Sequence, residues 1–390
     1  MIVKNRVRIL NKKFKKIKMP VDLRTRKLAQ LAVKYSTEVK PNTNVVISGK
    51  EESLDFVKEL YKAVILAGAH PILSFSPSNL SDFFYKYAKK SQIEKFPEHL
   101  DYIVKNAQSY IGIHSESNTK ELSSANSKKI IARQKVIHPI SEYVCNTRDK
   151  IKRCTIAYPC LSHAQDAEMS LTEYENFVYS ACLQDWKKLG KQINKIKEIF
   201  QKGKPLKKVH LIGKNVDLKF RVHGNLAYSD DGKENMPGGE VFMAPVKESL
   251  NGWIRFEYPA VTSGKEVTGI YLKFKEGKVV EYDADKNKEF LKEMLETDEG
   301  SSYVGEFGIG CNPKIKKFTK NLLFDEKIGG TIHLALGLAY KENTQGLSKE
   351  ARNSSNIHWD IVKDMSQAKI VLDGKTIQEN GKWKIKGVNL

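Results

Sequence analysis

Hydrophobic and polar positions follow two alternating periods in the first half of the chain. Helical spacing runs over residues 23–35 and 53–67, and short apolar runs suited to buried strands lie at residues 44–49 and 71–75. The same alternation continues through residues 100–106, 109–113 and 155–158. Helices that alternate with buried strands are typical of parallel sheets with crossover connections. The pattern therefore predicts an α/β N-terminal domain with a largely parallel sheet.

The pattern changes after a long amphipathic segment. Residues 171–201 have the spacing of one Lys-rich helix, and Lys-Gly-Lys-Pro at residues 202–205 is suited to a linker. Beyond it, short strand-like runs alternate with turns such as Asp231-Gly232, and residues 288–296 form the one clearly helical segment. We therefore predict two domains, residues 19–204 and 205–390, the second being a β-rich α+β domain.

Charge is the unusual feature of the composition. The net charge is +20, and residues 1–18 contain eight basic residues and no acid, so we predict a disordered basic arm there. Such a charge is compatible with nucleic-acid binding, but the basic residues comprise 56 lysines and only 10 arginines. Because phosphate and base recognition favours the arginine side chain, the composition makes a nucleic-acid partner unlikely.

Several classes of protein are excluded by what the sequence does not contain. No apolar run reaches the ~18–20 residues of a membrane span. The five cysteines include no CxxC pair and are interpreted as free thiols of a cytoplasmic protein. The first domain lacks a glycine-rich phosphate loop. Its histidines are scattered singly and are interpreted as surface or core residues; they occupy positions 70, 99, 114, 138 and 163.

Four strings in the second half place ligand-type residues where structure alone would not require them. Glu240 follows a Pro-Gly-Gly turn in MPGGEVF, and Glu306 lies between glycines and hydrophobic residues in YVGEFGIG. His333 lies in the apolar run TIHLALG. In NIHWDIV, His358 and Asp360 would share one face of a strand, because side chains alternate along it.

Each string alone has an ordinary explanation, such as a turn-capping acid, an internal salt bridge or a core histidine. Together, three carboxylates and two histidines in apolar surroundings would be costly unless they are paired or bind a metal. Two histidines with three acids are the mixed nitrogen and oxygen ligands of a hydrolytic two-metal centre. The set therefore predicts a metal site in the second domain.

In this order, MPGGEV, GEFGIG, HLALGLAY and HWD resemble the metal-binding strings of the thermophilic metallo-aminopeptidase family, which contains aminopeptidases T and S. Residues 28–49, the Ala-Gly-Ala at 67–69, the Asn-Gly turn at 251–252 and Leu-Asp-Gly at 372–374 also resemble that family. The resemblance extends from about Met19 to the C-terminus and leaves the basic arm outside the enzyme.

The resemblance implies a set of site residues and an activity. Its metal ligands would be Glu240, Glu306, His333, His358 and Asp360. They would bind two divalent ions, zinc, cobalt, manganese or magnesium, and a water bridging the ions would attack the N-terminal peptide bond of peptides with a free N-terminus. Tyr340 falls on the active-site tyrosine, and Glu240 or Glu306 would transfer a proton; which of the two bridges the ions stays open.

The resemblance also implies a homodimer in which the first domain helps to close a cavity over the metals. The segment after Tyr340, Lys-Glu-Asn-Thr-Gln-Gly, departs from the proline-containing, glycine-richer family pattern, so we expect it to shape a different substrate pocket. Two alternatives remain beside the aminopeptidase. One is an amidase of the same fold that acts on other small amides, and the other is a basic nucleic-acid-binding protein with a structural metal site.

Overall fold

The computed structural model describes residues 21–390 except 263 and 349–350, so the predicted basic arm lies outside the described residues. The helices are α1 (Leu23–Leu31), α2 (Leu54–Leu66), α3 (Leu80–Tyr87), α4 (Lys90–Ile93), α5 (Glu98–Lys105), α6 (Ser127–Asn146), α7 (Leu161–Asp166), α8 (Leu171–Cys182), α9 (Trp186–Gln201), α10 (Lys288–Leu295) and α11 (Leu322–Asp325).

The strands are β1 (Asn44–Lys50), β2 (His70–Ser76), β3 (Ser109–His114), β4 (Lys152–Ala157), β5 (Leu206–Gly213), β6 (Val216–His223), β7 (Tyr228–Asp230), β8 (Asn235–Met236), β9 (Glu240–Met243), β10 (Asn251–Arg255), β11 (Ala260–Thr262), β12 (Lys265–Val267), β13 (Tyr271–Lys275), β14 (Lys278–Asp283), β15 (Val304–Gly310), β16 (Thr331–Gly337), β17 (His358–Asp364), β18 (Ala368–Leu372), β19 (Lys375–Glu379) and β20 (Lys382–Trp383).

The first half is built on a parallel sheet, as predicted. Its strand order is β2-β1-β3-β4-β8, and every pair in it is parallel. The strand β1 is buried at Val45, Val46 and Ile47 because helices cover both faces of such a sheet. The fold class predicted for this half is confirmed.

Two predicted elements are wrong in detail. The single helix over residues 171–201 is two helices, α8 and α9. The second begins where the Asp185 side chain accepts a hydrogen bond from the backbone N–H of Lys188, which caps a new helix start. The pattern of residues 266–274 likewise predicts one strand, but the structure divides these residues between β12 and β13. The 20-residue helix α6 has no counterpart among the predicted elements.

The two halves of the chain are connected by more than the linker. The predicted boundary near residue 204 falls between α9 and β5, yet β8 returns from the second half to pair with β4 of the parallel sheet. One hydrophobic cluster also runs through both halves, with Phe324 packed on Tyr174 and Phe177. We therefore propose that residues 19–204 and 205–390 are two structural halves around a shared core.

The second half is β-rich, as predicted, and contains two larger antiparallel sheets. One has eight strands in the order β14-β13-β10-β6-β5-β18-β19-β20. The other, which we call the site sheet, has five strands in the order β17-β16-β15-β9-β7. Its strands β15, β16 and β17 are fully or nearly fully buried, so polar side chains on them are enclosed by protein.

Two further properties bear on function. No helix among the described residues is long and apolar enough to cross a lipid bilayer. All five cysteines are free thiols, as their spacing predicted.

Candidate metal centre

The site sheet brings the predicted ligand residues to one of its faces. Asp360 pairs with Ala335 on β16, and Ala335 pairs with Glu306 on β15, so these three residues lie side by side across three strands. His333 is two residues from Ala335 and therefore shares their face. The HxD of His358 and Asp360 is a strand, β17, as its period of two predicted.

Glu240 joins the same face from β9, where it pairs with Gly310 of β15. The site thus draws on four adjacent strands, and all five predicted ligands lie on one surface. The arrangement rests on regular strand pairing, which fixes the directions of the side chains.

The ligand atoms lie at separations suited to shared ions. The distance from His333 Nε2 is 3.1 Å to Glu306 Oε1 and 3.7 Å to Glu240 Oε2. His358 Nε2 lies 3.5 Å from Asp360 Oδ2. Two atoms bound tetrahedrally to one ion at about 2.0–2.2 Å are about 3.3–3.6 Å apart. The observed spacings are close to that range.

Both histidines present the correct nitrogen to the cluster. His333 Nδ1 lies 3.1 Å from the backbone carbonyl of Glu326, and His358 Nδ1 lies 2.8 Å from that of Leu338. A carbonyl oxygen can only accept, so Nδ1 carries the proton and donates it in each ring. Each Nε2 is then free to bind a metal, which is the usual way in which proteins orient ligating histidines.

Two buried carboxylate oxygens lack a partner among the residues that the structure describes. Glu306 Oε2 and Asp360 Oδ1 accept no hydrogen bond, although both side chains are at most 7% exposed. A buried carboxylate oxygen without a partner is costly, and a metal ion would remove that cost. The donor set of this face therefore fits divalent metal ions.

Small residues make room for the cluster. Gly308 pairs with His333 across the two strands, and a Cβ at position 308 would lie 1.9 Å from His333 Nε2. A Cβ at Gly310 would lie 2.0 Å from the carbonyl oxygen of Ile328. The glycines of the GEFGIG string therefore let the imidazole and the 326–331 segment approach the sheet.

The charges of the site shift its proton affinities. Burial raises the pKa of Glu240 to about 8, although Lys327 acts in the opposite direction. Burial would lower the pKa of His333, but the hydrogen bond with Glu306 and the charges of Asp360 and Glu240 outweigh it and raise that pKa to about 10. In His358 the charge of Asp360 likewise outweighs burial and raises the pKa. The cluster thus attracts positive charge, whether protons or metal ions.

Lys327 is a site residue that the sequence patterns did not indicate. It is fully buried, its Nζ lies 3.3 Å from Glu240 Oε1, and it also pairs with Glu326. The nearby carboxylates outweigh burial and raise its pKa, so it stays cationic. The available signal was a lysine in Asp-Glu-Lys directly before the Ile-Gly-Gly turn that leads into His333.

Replacing Lys327 by Met is expected to destabilise the metal-free protein by about 3–5 kcal/mol, because it leaves Glu240 without its buried cation. The loss should shrink as the pH falls, because Glu240, whose pKa is raised to about 8 even with Lys327 beside it, then takes up a proton and needs no cation. Urea unfolding in chelator at pH 9 and pH 6 measures both effects. Lys316→Met, at an exposed lysine, should change stability by less than about 0.5 kcal/mol. Equal stability of Lys327→Met and wild type at pH 9 would contradict this role.

Tyr340 lies beside the metal ligands. Its ring is 4.4 Å from that of His358, centroid to centroid. Although Tyr340 is 39% exposed, desolvation by the surrounding protein and the charges of Glu306 and Asp360 raise the pKa of its hydroxyl, which therefore stays protonated and able to donate. The predicted site residues are thus all brought together, while their roles remain predictions.

The segment after Tyr340 connects the site to the first half of the chain. Arg148, just beyond α6, lies 3.0 Å from Glu342, and Lys341 pairs with Glu142 of α6. Asn343 donates to the backbone carbonyl of Leu226 at 3.0 Å. These contacts fix the departing loop, whose predicted effect on the substrate pocket stays a prediction.

A sheet that gathers two histidines and three carboxylates on one buried face defines a metalloprotein. The chain belongs to the thermophilic metalloprotease (M29) family, whose model matches residues 21–383. It is 28% identical to aminopeptidase AmpS of Bacillus subtilis, over 91% of this chain and 97% of that protein. It is 34% identical to aminopeptidase T of Thermus aquaticus, over 39% of this chain and 40% of that protein.

A solved structure has a similar fold. Wild-type AmpT from Thermus thermophilus superimposes with a TM-score of 0.77 at 21% identity, covering 93% of this chain and 99% of that one. The predicted family and fold class are confirmed. The comparisons support a metal-dependent aminopeptidase, the function that the motifs predicted.

Proposed function

We propose that the chain removes N-terminal amino acids from peptides with two divalent metal ions held by the site sheet. The ligands would be Glu240, Glu306, His333, His358 and Asp360. The observation that carries the proposal is the orientation of this set, in which each histidine offers Nε2 and two buried carboxylate oxygens lack a protein partner. Mixed imidazole and carboxylate ligands favour zinc, cobalt or manganese over magnesium.

The ligands form two groups on the face of the sheet. His358 and Asp360 are neighbours on β17, and His333 and Glu240 lie toward β9, with Glu306 next to His333. Glu306, His333 and Asp360 have ligand atoms within 4.8 Å of one another, so the two groups meet in the middle of the sheet. Such a continuous set suits a pair of ions about 3.5–4 Å apart.

Bound divalent ions would lower the pKa of a water shared between them and polarise the scissile carbonyl. The protein's own residues would supply the remaining steps. Tyr340, kept protonated by its surroundings, would donate a hydrogen bond to the oxyanion that develops. Glu240 or Glu306 would pass a proton to the leaving amine.

The loaded site would also account for exopeptidase specificity. The free α-amine of a peptide would bind, as an ammonium group, to a carboxylate oxygen that the ions leave free, or, as a neutral amine, to one of the ions. A peptide bond in the interior of a chain has no free α-amine beside it and could not bind in this way. We therefore propose binding of the peptide N-terminus beside the carboxylates.

Acetylation of the substrate amine is expected to lower kcat/KM by about 10–150-fold, the equivalent of one lost charge-assisted hydrogen bond of about 1.5–3 kcal/mol. The comparison uses leucine p-nitroanilide and its N-acetyl form with the metal-loaded enzyme. Equal rates on the two substrates would instead identify an amidase that does not recognise the α-amine of its substrate. Tight, salt-dependent binding of RNA without any hydrolysis would favour the nucleic-acid alternative.

We further propose that the enzyme is a cytoplasmic homodimer. The free cysteines suit a reducing compartment, and the family resemblance supports the dimer.

A further inference from the structure

A second group of metal-ligating side chains lies at the carboxyl edge of the parallel sheet. The strand β3 ends at His114, and Glu116 follows two residues later. After β4, the chain passes Cys160 and enters α7, which carries His163. Ligands of α/β sheets bind at this edge, where loops from neighbouring strands meet. The single histidines at 114 and 163, interpreted from the sequence as surface or core residues, are therefore neighbours.

The side chains of this group are close enough to share one ion. His163 Nε2 lies 3.4 Å from Glu116 Oε1, the separation of two ligands on one tetrahedral ion. The rings of His114 and His163 are 4.8 Å apart, and ligand atoms of His114, Glu116 and His163 lie within 4.8 Å of one another. Cys160 lies at the edge of this group, with its Sγ 3.5 Å from the Oγ of Ser162, the residue directly before His163.

The protein holds this group in place. The Ser162 hydroxyl donates to the backbone carbonyl of Glu116 at 2.5 Å, which ties the loop after β4 to the loop after β3. Lys50, at the end of β1, lies 3.7 Å from Glu116 Oε2 and leaves Oε1 to face the imidazole. His163 is only 4% exposed. Three adjacent strands thus contribute to a preformed arrangement.

An ion can reach the group through a cavity of about 700 Å³. It is lined by His114, Glu116 and His163 together with residues 319–323 of the second half. The group therefore borders a cleft between the two halves, and it includes no residue of the site sheet.

We propose that His114, Glu116, Cys160 and His163 form a second, mononuclear metal site for zinc or a similar divalent ion. With Cys160 added to the three neighbouring residues, one thiolate, two imidazoles and one carboxylate would supply all four ligands of a tetrahedral ion and leave no position open for a catalytic water. Its effect would be to clamp the loops after β3 and β4 at the wall of the cleft. The site is independent of the proposed peptidase mechanism.

The full chain loaded with cobalt(II) tests this site. A thiolate bound to cobalt gives a near-ultraviolet charge-transfer band, and we expect that band in the wild type and its loss in Cys160→Ser. The matched control is Cys311→Ser, which removes the buried thiol next to Glu240 and should keep the band. Metal analysis after zinc loading should find one ion fewer per chain in His163→Ala than in wild type.

Circular dichroism shows whether each variant is folded. If one is not, Glu116→Gln is used in its place, because Glu116 is only partly buried. Glu306→Gln, which alters the site sheet, should keep the charge-transfer band even if hydrolysis fails, so the two sites are tested separately. No band in the wild type, a band that survives Cys160→Ser, or equal zinc content in His163→Ala and wild type would overturn the second site.

Discussion

Glu306→Gln is expected to lower kcat/KM by more than about 1,000-fold, which exceeds the effect of removing one transition-state hydrogen bond. The carboxylate is central in the cluster, 3.1 Å from His333, and its second oxygen has no protein partner. An amide of the same shape keeps the packing but removes the charge that a metal ion needs. Hydrolysis of leucine p-nitroanilide and bound metal per chain are the two measurements.

Two controls accompany this variant. Chelator-treated wild type defines the rate without metal, and zinc, cobalt or manganese should restore its activity, whereas Glu306→Gln should stay near the chelated rate. Glu296→Gln, at an exposed position after α10, should behave as wild type. If Glu306→Gln retained a tenth of wild-type activity, or if excess chelator left the wild type active, the metal centre would not carry the reaction.

The parallel half could be predicted because its strands are buried on both faces and give short continuous apolar runs. The division of residues 171–201 was missed because the amphipathic period continues across the break. Only the cap at Asp185 marks the new start, and an Asp within a polar helix face gives no separate signal. Capping geometry is decided by the backbone, whereas hydrophobic spacing reports only which face is buried.

The candidate site was accessible from sequence because its charged residues stand in apolar or glycine-rich strings, where an unpaired charge has no other explanation. Lys327 could not be identified from the sequence because a lysine beside acidic residues is common on protein surfaces. Only the fold shows that it is fully buried. The proximity of His114 and His163 could not be predicted for a related reason. His114 ends β3 and His163 lies on α7 after the neighbouring strand β4, and single histidines far apart in sequence carry no spacing signal.

The glycines show what a motif contains beyond its ligands. Gly308 offers no chemistry, but its missing side chain is the space that His333 occupies. The pairing of Gly308 with His333 can be read only from the strand register, which depends on a shift between Val304 and Glu306. The resemblance to the family indicated that the GEFGIG string is part of the site, and the structure explains why its glycines are needed.

Tyr340→Phe is expected to lower kcat by about 10²–10³-fold while KM and metal content stay near wild type. The phenylalanine keeps the ring packed on His358, 4.4 Å away, so the ligands should hold their positions. What is lost is a hydroxyl that remains protonated because its pKa is raised by burial and by Glu306 and Asp360. A donor that acts only on the developing oxyanion affects kcat and leaves substrate binding unchanged.

The control for this change is Tyr271→Phe, since Tyr271 lies on the eight-stranded sheet and packs against Trp253 away from the metal ligands. Steady-state kinetics and metal analysis on both variants separate the outcomes. A loss of metal in Tyr340→Phe would mean that the tyrosine supports the ligands. A kcat within about threefold of wild type would show that it makes no contact in the transition state, because one such hydrogen bond is worth about 2.7–4 kcal/mol.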